Sequence, residues 1–150
     1  MRYLVVLLLC VGNALHAQTI IDCEERAALS EMYSAAGEKL RTFANGDVEI
    51  SIIDTGEQNL ANVYLKVVSP PRDDLGLRQC RLIGAAQDKG FAGMNINSME
   101  SSYDPATGLQ LSMIIRTYDP ASETLPRRFL FFTVNQATGQ ITADVAADGL

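Results

Sequence analysis

The stretch Tyr103-Asp-Pro-Ala-Thr-Gly-Leu-Gln-Leu-Ser-Met-Ile-Ile-Arg-Thr-Tyr118 holds a turn followed by a strand. Pro105 has φ preset for the second position of a type I turn. Gly108 can adopt the positive φ that closes such a turn into a hairpin. Beyond it, Leu109, Leu111, Met113 and Ile115 alternate with Gln110, Ser112, Ile114 and Arg116. A period of two with one apolar face marks a strand. The same turn recurs as Asn135-Gln-Ala-Thr-Gly139, again between apolar runs. Leu109–Tyr118 is therefore predicted as an inner strand of an antiparallel sheet, flanked by Asn97–Tyr103 and Arg127–Asn135.

Working outward, Phe129-Leu-Phe-Phe-Thr-Val134 is a nearly continuous apolar run. It predicts a strand buried on both faces or packed by one aromatic face. Ile141, Ala143 and Val145 alternate in a final strand. Upstream, Val48, Ile50 and Ile52 alternate within Asp47–Asp54, and Val63, Leu65 and Val67 within Asn62–Ser69, which predicts a hairpin. Pro70-Pro71 is expected to stop its second strand, because neither residue can donate to a ladder. Leu77–Ala85 reads as a strand carrying Cys80 and Leu82 inward, with a short helix as the alternative, and Phe91–Tyr103 ends as the strand entering the first turn.

The chain before Asp47 reads differently. Asp22 with Glu25 fits a capping box. Leu29, Met32, Tyr33, Ala36, Leu40 and Phe43 recur at helical spacing, and Asn45-Gly46 supplies a left-handed stop. The expected fold is α+β: one N-terminal helix, Asp22 to about Ala44, packed on a curved, mainly antiparallel meander of about six to seven strands.

Residues 1–17 read as a cleaved secretory signal peptide: Arg2, the apolar run Leu4–Val11, and small residues Ala14 and Ala17 for cleavage. Residues 18–150 then form a single exported domain, periplasmic or secreted. Cys10 leaves with the signal peptide. Cys23 and Cys80 remain, and an exported compartment lets them pair. The mature chain holds 11 basic and 18 acidic residues, a net charge of −7. Nucleic acid is a poor match for that balance.

His16 is the single histidine and lies in the signal peptide. Triads with a histidine base are thereby excluded from the mature chain. No nucleophile elbow, phosphate-cradling loop, calcium loop or zinc ligand spacing occurs, so no cofactor and no metal are expected. The leading expectation is a non-catalytic module that binds another exported or envelope protein: an inhibitor, an immunity-type protein or an envelope accessory. Its contacts would come from loop residues Glu57, Arg72, Asp73, Asp74, Glu123, Arg127 and Arg128. An alternative is a carrier of a lipid or other apolar ligand between helix and sheet, lined by Phe43, Met113, Phe129 and Phe131. A third is a hydrolase built on carboxylates alone, from Glu100, Asp104, Asp119 and Glu123.

Overall fold

The computed structural model describes residues 18–23, 40–55 and 60–147. Among them run nine strands: β1 (Thr19–Asp22), β2 (Leu40–Phe43), β3 (Val48–Asp54), β4 (Val63–Arg72), β5 (Arg78–Gly84), β6 (Gly93–Asp104), β7 (Gly108–Arg116), β8 (Arg127–Val134) and β9 (Ile141–Ala147). They form two antiparallel sheets, ordered β1-β5-β4-β3-β2 and β6-β7-β8-β9. The inner faces share one core. In it Ile50, Leu65, Val67 and Ile83 of the first sheet meet Met113, Ile115, Leu130 and Val134 of the second, all at most 1 % exposed. The chain is a two-sheet sandwich, an arrangement that buries both period-two faces against each other.

The α+β expectation is overturned. The helical element among the described residues is a single 3₁₀ turn, Ala44–Gly46. The helix proposed from Asp22 fails at both described ends. Asp22 lies in β1 opposite Arg81 of β5, and its carboxylate pairs with that arginine at 2.7 Å. Leu40–Phe43 pair with Ser51–Val48 of β3. Asn45 and Gly46 do take left-handed geometry, φ 56° and 92°, but it turns the β2–β3 hairpin. Residues 24–39 lie outside the described residues, as do residues 1–17, expected above to be a signal peptide, and Glu57. Among the described residues no helix packs on a sheet, so the cleft that the carrier reading requires has no counterpart there.

Two smaller expectations are also corrected. β4 does not stop at Pro70-Pro71 but runs to Arg72 through a register shift between Ser69 and Arg72. At a bulge the ladder is already interrupted, so the missing N–H groups cost nothing there. Leu82 is fully buried, but on the opposite face of its sheet from the shared core. There it clusters with Ile21, Cys23 and Ile53, with Cys80 packed against them. Ile83 is the β5 residue that enters the shared core.

The central expectation holds. β7 lies between β6 and β8, with Leu109 opposite Tyr103 on one side and Val134 on the other. Leu109, Leu111, Met113 and Ile115 are buried, facing the other sheet in place of a helix. Gly108 has φ +104°, and an added Cβ would stand 2.5 Å from the Val134 carbonyl oxygen. The second turn has the same build, with Asn135 Oδ1 accepting from the N–H groups of Ala137 and Thr138, both at 3.1 Å. Cys23 and Cys80 are disulfide-bonded, Cα atoms 5.4 Å apart, just past the end of the β1–β5 ladder.

Antiparallel alternation sorts the connections to two ends. The tight turns gather at one, where Gln79 Nε2 donates to the Gly139 carbonyl at 2.8 Å and so links the sheets. The longer connections, described at residues 55, 60–62, 85–92 and 117–126, gather at the other. The sandwich has two seams. At one, Gln18 N–H donates to Ala143 O at 3.4 Å, joining the β1 side to β9. At the other, edge strands β2 and β6 meet through side chains.

Candidate functional site

The seam between β2 and β6 is built by a bulge. Asn95 pairs with Ile114 and Glu100 with Ser112, so β6 advances from 95 to 100 while β7 moves only from 114 to 112. The surplus residues have nowhere to pair and must leave the ladder. Ile96 turns inward and is 5 % exposed. Ser98 takes over the lost ladder contact. Its hydroxyl accepts from Ile114 N–H at 2.9 Å and donates to Asn95 O at 2.7 Å. Asn97 N–H donates to Asn95 Oδ1 at 3.1 Å. The bulge thus satisfies its own polar groups locally while holding Asn95 and Asn97 outward.

Across the seam, Arg41 of β2 donates from Nη2 to Asn97 Oδ1 at 2.6 Å and from Nη1 to Leu40 O at 3.2 Å. No carboxylate among the described residues stands within ion-pair distance of it. A guanidinium has five N–H donors, so Arg41 retains capacity for an arriving acceptor. Between the two strands opens a cleft of about 760 Å³, floored by Ile52, Val63, Met94 and Ile96 and rimmed by Arg41, Asp54, Asn95 and Asn97. Asp54 accepts from Asn62 Nδ2 at 2.9 Å. No backbone hydrogen bond joins β2 to β6 among the described residues. The site therefore offers a mainly polar wall over a small apolar base, two sheet edges that are unpaired among the described residues, and one cation.

A second cleft, about 590 Å³, lies at the loop end, with Leu60, Ala61, Ala85, Tyr118 and Pro120 in its wall. Leu60 is 55 % exposed and Tyr118 40 %. The segment Gly90–Gly93 divides the two clefts. It is pinned by Phe91, which exchanges N–H···O bonds of 2.7 and 3.0 Å with Val63.

The residues singled out from the sequence are dispersed. Met113 is in the shared core, and Phe43 packs on its margin. Phe129 and Phe131 alternate with Leu130 and Phe132 and so face outward, their rings 6.2 Å apart. Met113 and Phe131 stand on opposite faces of one sheet and cannot line a common cavity. Arg72, Asp73 and Asp74 lie at the turn end. Arg72 pairs with Asp47 at 3.3 Å, and Asp73 Oδ1 accepts from the N–H groups of Leu75 and Leu77 at 2.9 and 2.8 Å. Glu123, Arg127 and Arg128 lie toward the loop end, with Arg127 5.6 Å over the Phe129 ring.

The four carboxylates are equally scattered. Asp104 is engaged in its turn, where the N–H groups of Ala106 and Thr107 hold its carboxyl below the usual range. Asp119 is lowered in the same way by the Ser122 hydroxyl and the Ala121 N–H. These two sit at opposite ends of the sandwich, Glu123 shares a loop with Asp119, and Glu100 lies mid-sheet. No group of three His, Cys, Asp or Glu able to hold a metal occurs among the described residues. No described helix is long and apolar enough to cross a membrane.

Sequence reasoning missed the seam. The surplus in β6 is visible only once its partner strand is known, because Met94, Ile96 and Ser98 alternate as an unbroken strand would. No protein-family model, no curated protein and no solved structure matches this chain.

Proposed function

We propose that this protein is a non-catalytic, exported binding module that receives a segment of another exported or envelope protein at the β2–β6 seam. The carrying observation is the pair of edge strands, unjoined among the described residues, that flank a polar cleft beside Arg41. An extended segment can add to a free sheet edge through main-chain hydrogen bonds and place alternate side chains in a pocket below. Arg41 then offers its remaining donors to a carboxylate on that segment. The Cys23–Cys80 disulfide supports an oxidising compartment. With the leader-like residues 1–17, it supports a periplasmic or secreted address.

The test is photo-crosslinking in the producing cell, with a benzophenone amino acid at exposed Asn95 in the seam or at exposed Asp74 at the far end. A discrete adduct from position 95 and none from position 74 is expected. The purified partner should then bind the Arg41→Ala protein more weakly by about tenfold, one charge-assisted hydrogen bond. Equal adducts from both positions, or none from position 95, refute the assignment.

A further inference from the structure

The outer face of the four-stranded sheet carries a second surface that the seam does not explain. Phe131 is 48 % exposed there, although every alternate residue of β8 from Leu130 to Val134 is buried. Register sets it in a row across four strands: Glu100, Ser112, Phe131, Asp144. At about 4.8 Å per strand that row spans about 14 Å. Phe131 forms a ridge between two shallow grooves, about 300 and 310 Å³. Ser102, Gln110 and Ser112 line one with Glu100, and Thr133 and Thr142 line the other with Asp144.

Three features of these grooves define a ligand. First, their walls are hydroxyl, amide and carboxylate groups with no cation among them, so a phosphate or sulfate polymer finds no counter-charge. Secondly, the carboxylate of Glu100 and the hydroxyls of Ser112, Thr133 and Thr142 have no hydrogen-bond partner among the described residues. They form a line of unspent acceptors and donors. Thirdly, one aromatic face stands free between them, since the neighbouring Phe129 ring is covered by Arg127. A flat apolar ring flanked by hydroxyl-bonding groups on both sides complements a pyranose. The C–H face of such a sugar stacks on an aromatic ring while its equatorial hydroxyls bond outward. Carboxylates are the strongest acceptors for those hydroxyls.

The geometry points to a saccharide platform: a neutral polysaccharide crossing the strands of this sheet, with one sugar ring seated on Phe131. This is independent of the seam, because Phe131 projects from the face of β8 opposite the shared core, which holds Leu130 and Phe132.

Affinity electrophoresis of the exported chain tests it, in native gels containing hydroxyethylcellulose, a soluble β-1,3-glucan or galactomannan. Retardation in at least one gel is expected. Phe131→Ala should weaken it about tenfold, the scale of one aromatic stack, and Phe131→Tyr should retain it. Arg41→Ala, at the seam, should be slowed by the polymer as much as the wild type is, each mobility being taken relative to a gel without polymer. Circular dichroism of Phe131→Ala checks that its fold is intact. Retardation by none of the three polymers, or retardation unchanged in a folded Phe131→Ala protein, overturns the platform. So does loss on Arg41→Ala without loss on Phe131→Ala.

Discussion

Replacing Ser98 with alanine tests the bulge that builds the seam. The hydroxyl makes two bonds, 2.9 Å from Ile114 N–H and 2.7 Å to Asn95 O. Losing a neutral hydrogen bond costs about 1 kcal/mol, and leaving a buried N–H without an acceptor costs about 1–3 kcal/mol. Ile114 N–H is only part-buried, so water relieves some of the second cost. The expected loss is about 2 kcal/mol. For a domain of this size that lowers Tm by about 6–10 °C. Guanidinium unfolding under oxidising conditions, followed by circular dichroism, measures it. Ser102→Ala is the control, on the same strand, where an exposed hydroxyl meets Gln110 Oε1 at 3.3 Å. That change should cost less than about 0.5 kcal/mol. If Ser98→Ala costs no more than the control, the hydroxyl is not standing in for a ladder bond and the account of the bulge is wrong.

Three further outcomes are expected. Leu130→Ala should lose about 2–5 kcal/mol, whereas Phe131→Ala, half exposed, should lose about 1 kcal/mol or less; comparable losses in urea unfolding would contradict the inward and outward sides given to β8. Replacing both Cys23 and Cys80 with alanine should lower stability by up to about 4 kcal/mol, the closure entropy of the loop they span, and adding reductant to the wild type should move its unfolding midpoint toward the variant's. Asp104 and Asp119 have carboxyl groups held below the ordinary carboxylate range by their turn hydrogen bonds, so the stability they contribute is complete above that range and is lost as pH falls through their lower folded values. Asp104→Asn keeps the turn's acceptor but not the charge, so it should flatten the acid limb of a stability-versus-pH curve, and an unaltered limb would count against the turn as its origin.

The β architecture was legible wherever one strand face is apolar and the turn chemistry is explicit. Leu109 to Ile115 and the turns at Gly108 and Gly139 show both. The N-terminal error came from two signals with double meanings. Asn45-Gly46 reads as a helix stop, and the left-handed geometry that reading requires is present. However, Asn-Gly is also the strongest short-range hairpin signal, and pairing of Leu40–Phe43 with β3 decides between them. Asp22 and Glu25 have capping-box spacing, but Arg81 across the β1–β5 ladder claims the Asp22 carboxylate. In both cases a long-range partner overrides a local preference. Phe129–Val134 concealed its alternation because both of its faces are apolar, so composition could not say which rings face solvent. The disulfide was legible by elimination, whereas the seam depends on a mismatch between two strands and is written in neither alone.

The position of the disulfide bears on how the chain escapes self-association. β1 is a four-residue edge strand, and such a strand frays easily. If it peeled away, the backbone of β5 would become a bare template for the next molecule's strand. Tying Cys23 to Cys80 makes that margin of the sheet covalent. Oxidation therefore acts as a guard against edge-to-edge aggregation, and the reduced chain is the form exposed to it.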